Sequence, residues 1–101
     1  MNFQDLSTVQ NKLMQTPRTI ASATTIAPTT FLTFITGTAV VATITPPVDG
    51  AHLLCMVWTD TPTETGTTNI KTAITPTEDL PTFFAYNPVD AKYYGWATNV
   101  T

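Results

Sequence analysis

The stretch from Phe31 to Pro47, FLTFITGTAVVATITPP, constrains the fold more than any other part of the chain. Two runs of apolar and β-branched residues meet at Gly37 and are closed by a pair of prolines. β-Branched side chains favour strands, glycine permits a tight connection or a bulge, and proline cannot donate to a strand ladder. The pattern therefore predicts two strands, 31–36 and 39–45.

Other apolar runs predict further strands, spaced at about ten residues and separated by polar or proline-containing turns. The run His52–Trp58, HLLCMVW, would present apolar side chains on both faces of a strand. It is therefore predicted to be a core strand covered on both faces. The other predicted strands are 19–26, 70–74, 83–86 and 93–96. Six to eight short antiparallel strands predict an all-β sandwich or small barrel. The predicted core residues are Leu32, Phe34, Val41, Leu54 and Trp58.

The first seventeen residues form a predicted N-terminal helix or arm, ahead of a β-domain at 18–101. Four apolar residues lie roughly on one face at helical spacing, and Thr16-Pro17 ends the pattern. A helix of three or four turns is marginal in isolation, so this segment should be helical only when docked. Docking on its own domain and docking on a neighbouring subunit are both open. The residues predicted to form a partner interface are Phe3, Leu6, Leu13 and Met14.

The composition is poor in charge and rich in threonine. Charged residues make up 11% of the chain, against roughly 25% in an ordinary domain, and threonine fills about a quarter of all positions. Such a surface is neutral and is desolvated at low cost. It suits a protein that packs against neighbours in an assembly, although a Thr-rich face on an ordinary β-domain has the same composition.

Charge and hydropathy argue against two classes of partner. The net charge is −3 and the four basic residues are scattered, so no cluster exists to neutralise phosphates and no nucleic-acid partner is expected. No segment approaches the ~18 apolar residues of a transmembrane helix, so no membrane partner is expected. The N-terminus lacks the basic start and continuous apolar run of a signal peptide, which predicts synthesis in a cytoplasm, with that of a host cell as one alternative.

No constellation of reactive residues predicts catalysis, a cofactor or a metal ion. His52 is the only histidine, and Cys55, the only cysteine, is predicted to be buried and cannot form a disulfide within the chain. Acidic pairs at 60/64 and 78/79 could hold a hard cation, but solvated loop carboxylates are the default interpretation. The chain is therefore predicted not to be an enzyme.

Aromatic residues are concentrated near the C-terminus. Most are expected in the core, because strand alternation places some of them inside. Aromatic side chains also anchor interfaces and bind sugars. If one face is exposed, the predicted contacts are Tyr86, Tyr94 and Trp96.

Four segments carry a resemblance to known proteins: FITGTAVVATITPP (34–47), GAHLLCMVW (50–58), TGTTNIK (65–71) and KYYGWAT (92–98). Together they resemble small β-structured bacteriophage virion proteins, over roughly residues 31–98. The chain departs from that pattern at Thr68, where those proteins usually have glycine, and its aromatic close is longer.

Within that group, a short chain with an N-terminal arm and no fibre repeats looks most like a capsid decoration (cement) protein. The resemblance implies a homotrimer on the capsid exterior of a virion, bound to the major capsid protein lattice and stabilising the shell. The alternative is a tail or fibre-associated module that recognises a host surface glycan through the 60–69 loop and the terminal aromatics.

Overall fold

The computed structural model describes residues 15–47 and 52–97, and all regular structure within them is β. The predicted helical arm therefore lies almost wholly outside the described residues. Seven strands are present: β1 (Arg18–Ala21), β2 (Thr25–Ile26), β3 (Leu32–Thr36), β4 (Thr43–Ile44), β5 (Leu53–Trp58), β6 (Pro81–Asn87) and β7 (Lys92–Ala97). The all-β prediction is confirmed for this part of the chain.

The strands form two sheets of mixed direction. Five strands make one sheet in the order β1-β3-β5-β6-β7, and β2 pairs with β4 in a second sheet. The pairs β1–β3, β3–β5 and β2–β4 are parallel, whereas β5–β6 and β6–β7 are antiparallel. The larger sheet is open at β1 and β7, so it is not a closed barrel. The prediction of a purely antiparallel architecture is wrong. In the first half of the chain, crossover connections and not tight hairpins join β1 to β3 and β3 to β5, so these neighbours are parallel.

The prediction of β5 as the core strand is confirmed. It lies in the middle of the five-stranded sheet, and Leu54, Met56 and Trp58 on one side and Cys55 on the other are buried. A continuous apolar run is typical of a strand flanked by others and covered on both sides.

One face of the five-stranded sheet packs on the two-stranded sheet through a common core. Ile26 and Ile44 of the small sheet belong to the same buried cluster as Ile35, Phe84 and Tyr93 of the large one.

Of the predicted core residues, Val41, Leu54 and Trp58 are buried. Two others, Leu32 and Phe34, are not: in β3 the fully buried side chains are Thr33 and Ile35. The alternation of LTFIT is correct, but the predicted core face is the wrong one, because the register aligns Thr33 and Ile35 with the buried Met56 and Trp58 of β5.

Two long predicted strands are broken where the chain passes between sheets. The predicted strand 19–26 divides into β1 and β2, and 39–45 is reduced to β4. Ser22 still donates its N–H to the carbonyl of Thr36 in β3, but the Thr24 carbonyl accepts from the N–H groups of Ala42 and Thr43. The segment 19–26 therefore contributes one end to each sheet, which a continuous alternating pattern does not reveal.

Gly37 lies at the point where the chain leaves β3. Its φ of 81° is the left-handed conformation expected of glycine in a tight connection. An added Cβ would lie 2.9 Å from Ser22 Oγ, and the Gly37 N–H donates to Asp60 Oδ2 at 2.6 Å. Gly37 directs the chain out of the large sheet and towards the small one; it does not close a hairpin.

The predicted strand 70–74 is absent from the described structure, and one side chain takes its place. Ile70 forms only an isolated bridge with Tyr93. Next to it, Asn69 binds both backbone groups of Ile44: its Oδ1 accepts from the Ile44 N–H at 2.8 Å and its Nδ2 donates to the Ile44 carbonyl at 2.7 Å. The backbone carbonyl of Asn69 accepts from the Tyr93 N–H at 2.7 Å. Asn69 thus continues the pairing of β4 and joins it to the edge of β7.

Candidate functional site: an apolar sheet face

The face of the five-stranded sheet that points away from the core is also apolar. The strand register places its side chains in three rows across the strands: Thr19–Phe34–Val57–Pro81, Leu32–Cys55–Phe83–Trp96 and Leu53–Ala85–Tyr94. These eleven residues are called the outer face below. None of them is charged, whereas an antiparallel or edge-containing sheet that faces water usually alternates apolar and polar positions.

The exposed large apolar side chains of the outer face lie on β5 and β7. Leu53, Tyr94 and Trp96 are exposed by 48%, 41% and 68%. The Trp96 indole stacks on the half-buried ring of Phe83, with ring centroids 6.1 Å apart and planes 26° apart. Because Phe83 supports it from within the sheet, the indole presents a flat and preorganised apolar surface. Exposed apolar patches of this kind on a protein surface mark binding sites.

Cys55 lies at the centre of the outer face and is nevertheless buried. Leu32 and Phe83 stand beside it on the neighbouring strands, and Leu53 and Val57 flank it along β5. These larger side chains leave its small thiol only 5% exposed. Burial raises the pKa of the Cys55 thiol, which disfavours the reactive thiolate. Cys55 is therefore placed as a buried packing residue and is poorly suited to act as a nucleophile.

A charged cluster lies beside the outer face at the start of β7. The Tyr94 hydroxyl donates to Asp90 Oδ2 at 2.6 Å, the Lys92 N–H donates to Asp90 Oδ1 at 3.1 Å, and Lys71 Nζ is 3.6 Å from Asp90 Oδ2. The hydrogen bond from Tyr94, with smaller contributions from Lys92 and Lys71, holds the pKa of Asp90 below its ordinary value. These contacts fix the ring of Tyr94 at the edge of the apolar surface.

The structure brings together two of the three aromatic contacts predicted from the sequence. Tyr94 and Trp96 lie two residues apart on β7 and share the outer face. Tyr86 lies on the opposite face, where its ring is 4.9 Å from that of Tyr93 and 6.0 Å from that of His52. The β6–β7 register separates them: Tyr86 pairs with Tyr93, whereas Tyr94 and Trp96 pair with Ala85 and Phe83 on the other face.

Other predicted residues do not join the site. The arm residues Phe3, Leu6, Leu13 and Met14 lie outside the described residues. The loop acids have local partners: Asp60 accepts from Gly37, and Glu78 accepts from the Thr61 hydroxyl at 3.1 Å. Among the described residues, no group of three His, Cys, Asp or Glu side chains is arranged to hold a metal ion.

Sequence reasoning missed most of the outer face. Leu53, Val57 and Phe83 were not singled out, and Leu32 and Phe34 were assigned to the core. An available signal was that LLCMVW and PTFF are apolar on both strand faces, although the small second sheet can cover only one of them.

Comparisons with family models, with curated proteins and with solved structures found no match. The resemblance to phage virion proteins is therefore carried by the four sequence segments alone. In the described part of the chain, no helix is long and apolar enough to cross a membrane.

Proposed function

We propose that this chain is a structural protein without catalytic activity, which binds a larger protein assembly through its outer face. The observation that carries the proposal is the set of three charge-free rows across the sheet, with Leu53, Tyr94 and Trp96 exposed on it. Within this proposal the domain is a small sandwich, in which the β2–β4 sheet is the second layer on the core side.

The energetics of the outer face suit a binding surface. Fully burying a large, fully exposed apolar side chain stabilises a complex by about 1.5–3 kcal/mol. Leu53, Tyr94 and Trp96 are already partly buried, so each offers a part of that amount. The carboxylate beside Tyr94, that of Asp90, is already paired. Tryptophan and tyrosine are the residues that most often carry the binding energy at protein interfaces. Phe83 and Asp90 hold these two side chains in place, which lowers the entropic cost of ordering them on binding.

The assembly we propose is a bacteriophage capsid, with the chain as a decoration protein on the outside of the major capsid protein lattice. The support for this partner is the resemblance of the four sequence segments and the low-charge, Thr-rich composition. A homotrimer would engage several capsid subunits at once, and such multivalency raises the apparent affinity without any new contact.

The proposal is tested with purified capsids that lack the protein. Trp96→Ser should lower occupancy on the capsid by at least about tenfold, a loss equivalent to ~1.4 kcal/mol. Val89→Ser is the matched control, because Val89 is also a large exposed apolar residue but lies in the β6–β7 turn. Equal occupancy of the two variants would refute docking through the outer face. Copy number in native particles, in the hundreds for a decoration protein and about a dozen or fewer for a tail protein, tests the location.

The second candidate function is recognition of a host glycan by a tail or fibre-associated module. The stacked and exposed indole of Trp96 favours it specifically, because a flat aromatic ring beside polar groups is suited to stacking against a sugar. The Asp90–Tyr94 pair supplies the neighbouring hydrogen-bonding groups. Glycan-array binding that is lost in Trp96→Ser, together with undiminished capsid occupancy, would favour this function over decoration.

A further inference from the structure

We infer that the open edge of β1 pairs with the same edge of a second copy, so that two chains associate about a two-fold axis into one continuous sheet. The contact is made by backbone groups at the edge of the sheet, and it leaves the outer face to the assembly of the proposed function. The inference goes beyond that function and does not rest on it.

The two edges of the five-stranded sheet differ in how they are covered. At the β7 edge, the Tyr93 N–H donates to the Asn69 carbonyl at 2.7 Å and the Lys71 N–H donates to the Tyr93 carbonyl at 2.8 Å. At the other edge, β1 pairs with β3 and with no other described strand. Natural sheets protect open edges with charged side chains, proline or a bulge, and β1 carries none of these apart from Arg18 at its first position.

The backbone of β1 presents unpaired groups at alternate residues. The Ser22 N–H donates to the Thr36 carbonyl at 2.7 Å, so Ser22 and, two residues earlier, Ile20 turn their backbone groups towards β3. Those of Thr19 and Ala21 therefore point away from the sheet. Both residues are exposed, and their backbone groups have no partner among the residues that the structure describes. Such an edge is a template for one further strand.

A second copy of β1 fits this template in an antiparallel register. When Thr19 of each copy lies opposite Ala21 of the other, each of these pairs exchanges two N–H···O bonds and every outward group of β1 is used. The two-fold axis then passes between the two Ile20 residues, whose half-buried side chains meet across it. A register shifted by two residues towards the N-terminus would place Pro17, which has no N–H, opposite Ala21.

The charges at the two ends of β1 favour the same arrangement. Arg18 begins β1, whereas Asp60, which accepts from the Gly37 N–H at 2.6 Å, lies at the end of the sheet where β1 finishes. In the antiparallel pair Arg18 faces Ser22 of the other copy, two strand spacings or about 9.6 Å from Gly37. Charges at that separation still interact, since the Debye length is about 10 Å at 0.1 M salt. Each Arg18 therefore approaches the other copy's Asp60, and the two arginines stay at opposite ends of the pair.

This symmetry also orients the outer faces. A two-fold axis that relates antiparallel neighbours within one sheet is perpendicular to the sheet, so the outer faces of the two copies point in the same direction. Two faces that point the same way engage one flat partner together, and such bivalency raises the apparent affinity. The homotrimer of the proposed function has only the sequence resemblance to support it, and it is the competing outcome of the test.

The first test measures the molar mass of the full-length protein by sedimentation equilibrium over a range of concentrations. Ala21→Pro removes the outward N–H of Ala21 without breaking a hydrogen bond of the sheet. Ala27→Pro is the matched control, at another exposed alanine that lies outside β1. Circular dichroism establishes that each variant is folded. The wild type and the control should show the same monomer–dimer equilibrium, and Ala21→Pro should weaken it at least about tenfold.

A charge exchange tests the two-fold pairing without a change to the backbone. Arg18→Glu and Asp60→Arg each replace attraction by repulsion at both ends of the pair, so each variant alone should dimerise about tenfold more weakly. Mixed in equal amounts, the two variants should form a heterodimer with the affinity of the wild type, because each end then joins opposite charges.

Edge pairing would be overturned by a wild type that is trimeric, or by one that is monomeric at every concentration, as it would be if the chain's own N-terminal residues or a strand of the capsid protein occupied the edge. Equal dimer affinities of Ala21→Pro and Ala27→Pro, or a mixture of the charge variants no tighter than either alone, would also overturn it. Trp96→Ser separates the two proposals, because it should lose capsid occupancy and keep the dimer.

Discussion

Replacing Tyr93 by phenylalanine tests how the core accommodates an unsatisfied polar group. Tyr93 is fully buried, its ring packs against Tyr86 and Phe84, and its hydroxyl has no hydrogen-bond partner in the described part of the structure. An unpaired buried hydroxyl costs about 1–3 kcal/mol of stability. Tyr93→Phe keeps the ring and removes that group, so the free energy of unfolding at neutral pH should rise by about 1 kcal/mol.

The same substitution predicts a difference in alkaline stability. Burial, with a smaller contribution from the nearby Tyr86, raises the pKa of Tyr93 to about 12 from its ordinary value of 10.0. A group whose pKa is raised by folding contributes stability that is complete below the unfolded pKa and is lost as the pH rises to the folded pKa. Between pH 10 and 12 the wild type should therefore lose about 1.4 kcal/mol per pH unit from this residue, and the variant should not.

Urea unfolding at pH 7, 10 and 11, followed by circular dichroism, measures both effects. The other tyrosines and the lysines are common to the two proteins, so the difference between the curves isolates Tyr93. A variant that is less stable at pH 7, or whose stability falls in parallel with the wild type above pH 10, would refute the reasoning.

Three further predictions follow from individual contacts. Asn69→Ala leaves both backbone groups of Ile44 unpaired and should lower the free energy of unfolding by about 2–4 kcal/mol, whereas a loss below 1 kcal/mol in urea titrations would contradict the role of its amide. Gly66→Ala places a Cβ 2.6 Å from the Cβ of Ala42 and should cost about 1–3 kcal/mol; an unchanged melting temperature would show that the two segments separate freely. Cys55 should react slowly with a thiol reagent such as Ellman's reagent in the native protein and rapidly in urea, and equal rates would contradict its burial.

Local patterns predicted β5, β6 and β7 well, although the strand predicted at 70–74 is absent. The β5 run is apolar at every position. Pro81 and Asn87 are the first and last residues of β6, and Gly95 lies within β7. The existence and approximate limits of these strands therefore followed from composition and turn residues. Here the chain forms an antiparallel meander, in which neighbours in sequence are neighbours in the sheet.

The first half could not be predicted in the same way, because its partners are distant in sequence. The alternation through Ile20 and Ile26 is continuous, yet the strand divides between two sheets after Ser22. The Asn69 side chain occupies the position of a strand next to β4 by hydrogen-bonding to both backbone groups of Ile44. A contact made by one side chain leaves no periodic pattern in the sequence. The outer face emerged only when the register showed which residues of β3, β5 and β7 align.

The two hydrogen bonds between the Asn69 side chain and the Ile44 backbone have a consequence for the order in which strands can pair during synthesis. Ile44 leaves the ribosome 25 residues before the side chain that binds its backbone. At a translation rate of about 5–20 residues per second, that interval lasts about one to five seconds. Throughout it, β4 has only β2 to pair with, and β5, the second partner of β3, is completed only about halfway through it. A ribosome that pauses between these positions would therefore hold a nascent chain in which one side of β4 has no hydrogen-bond partner.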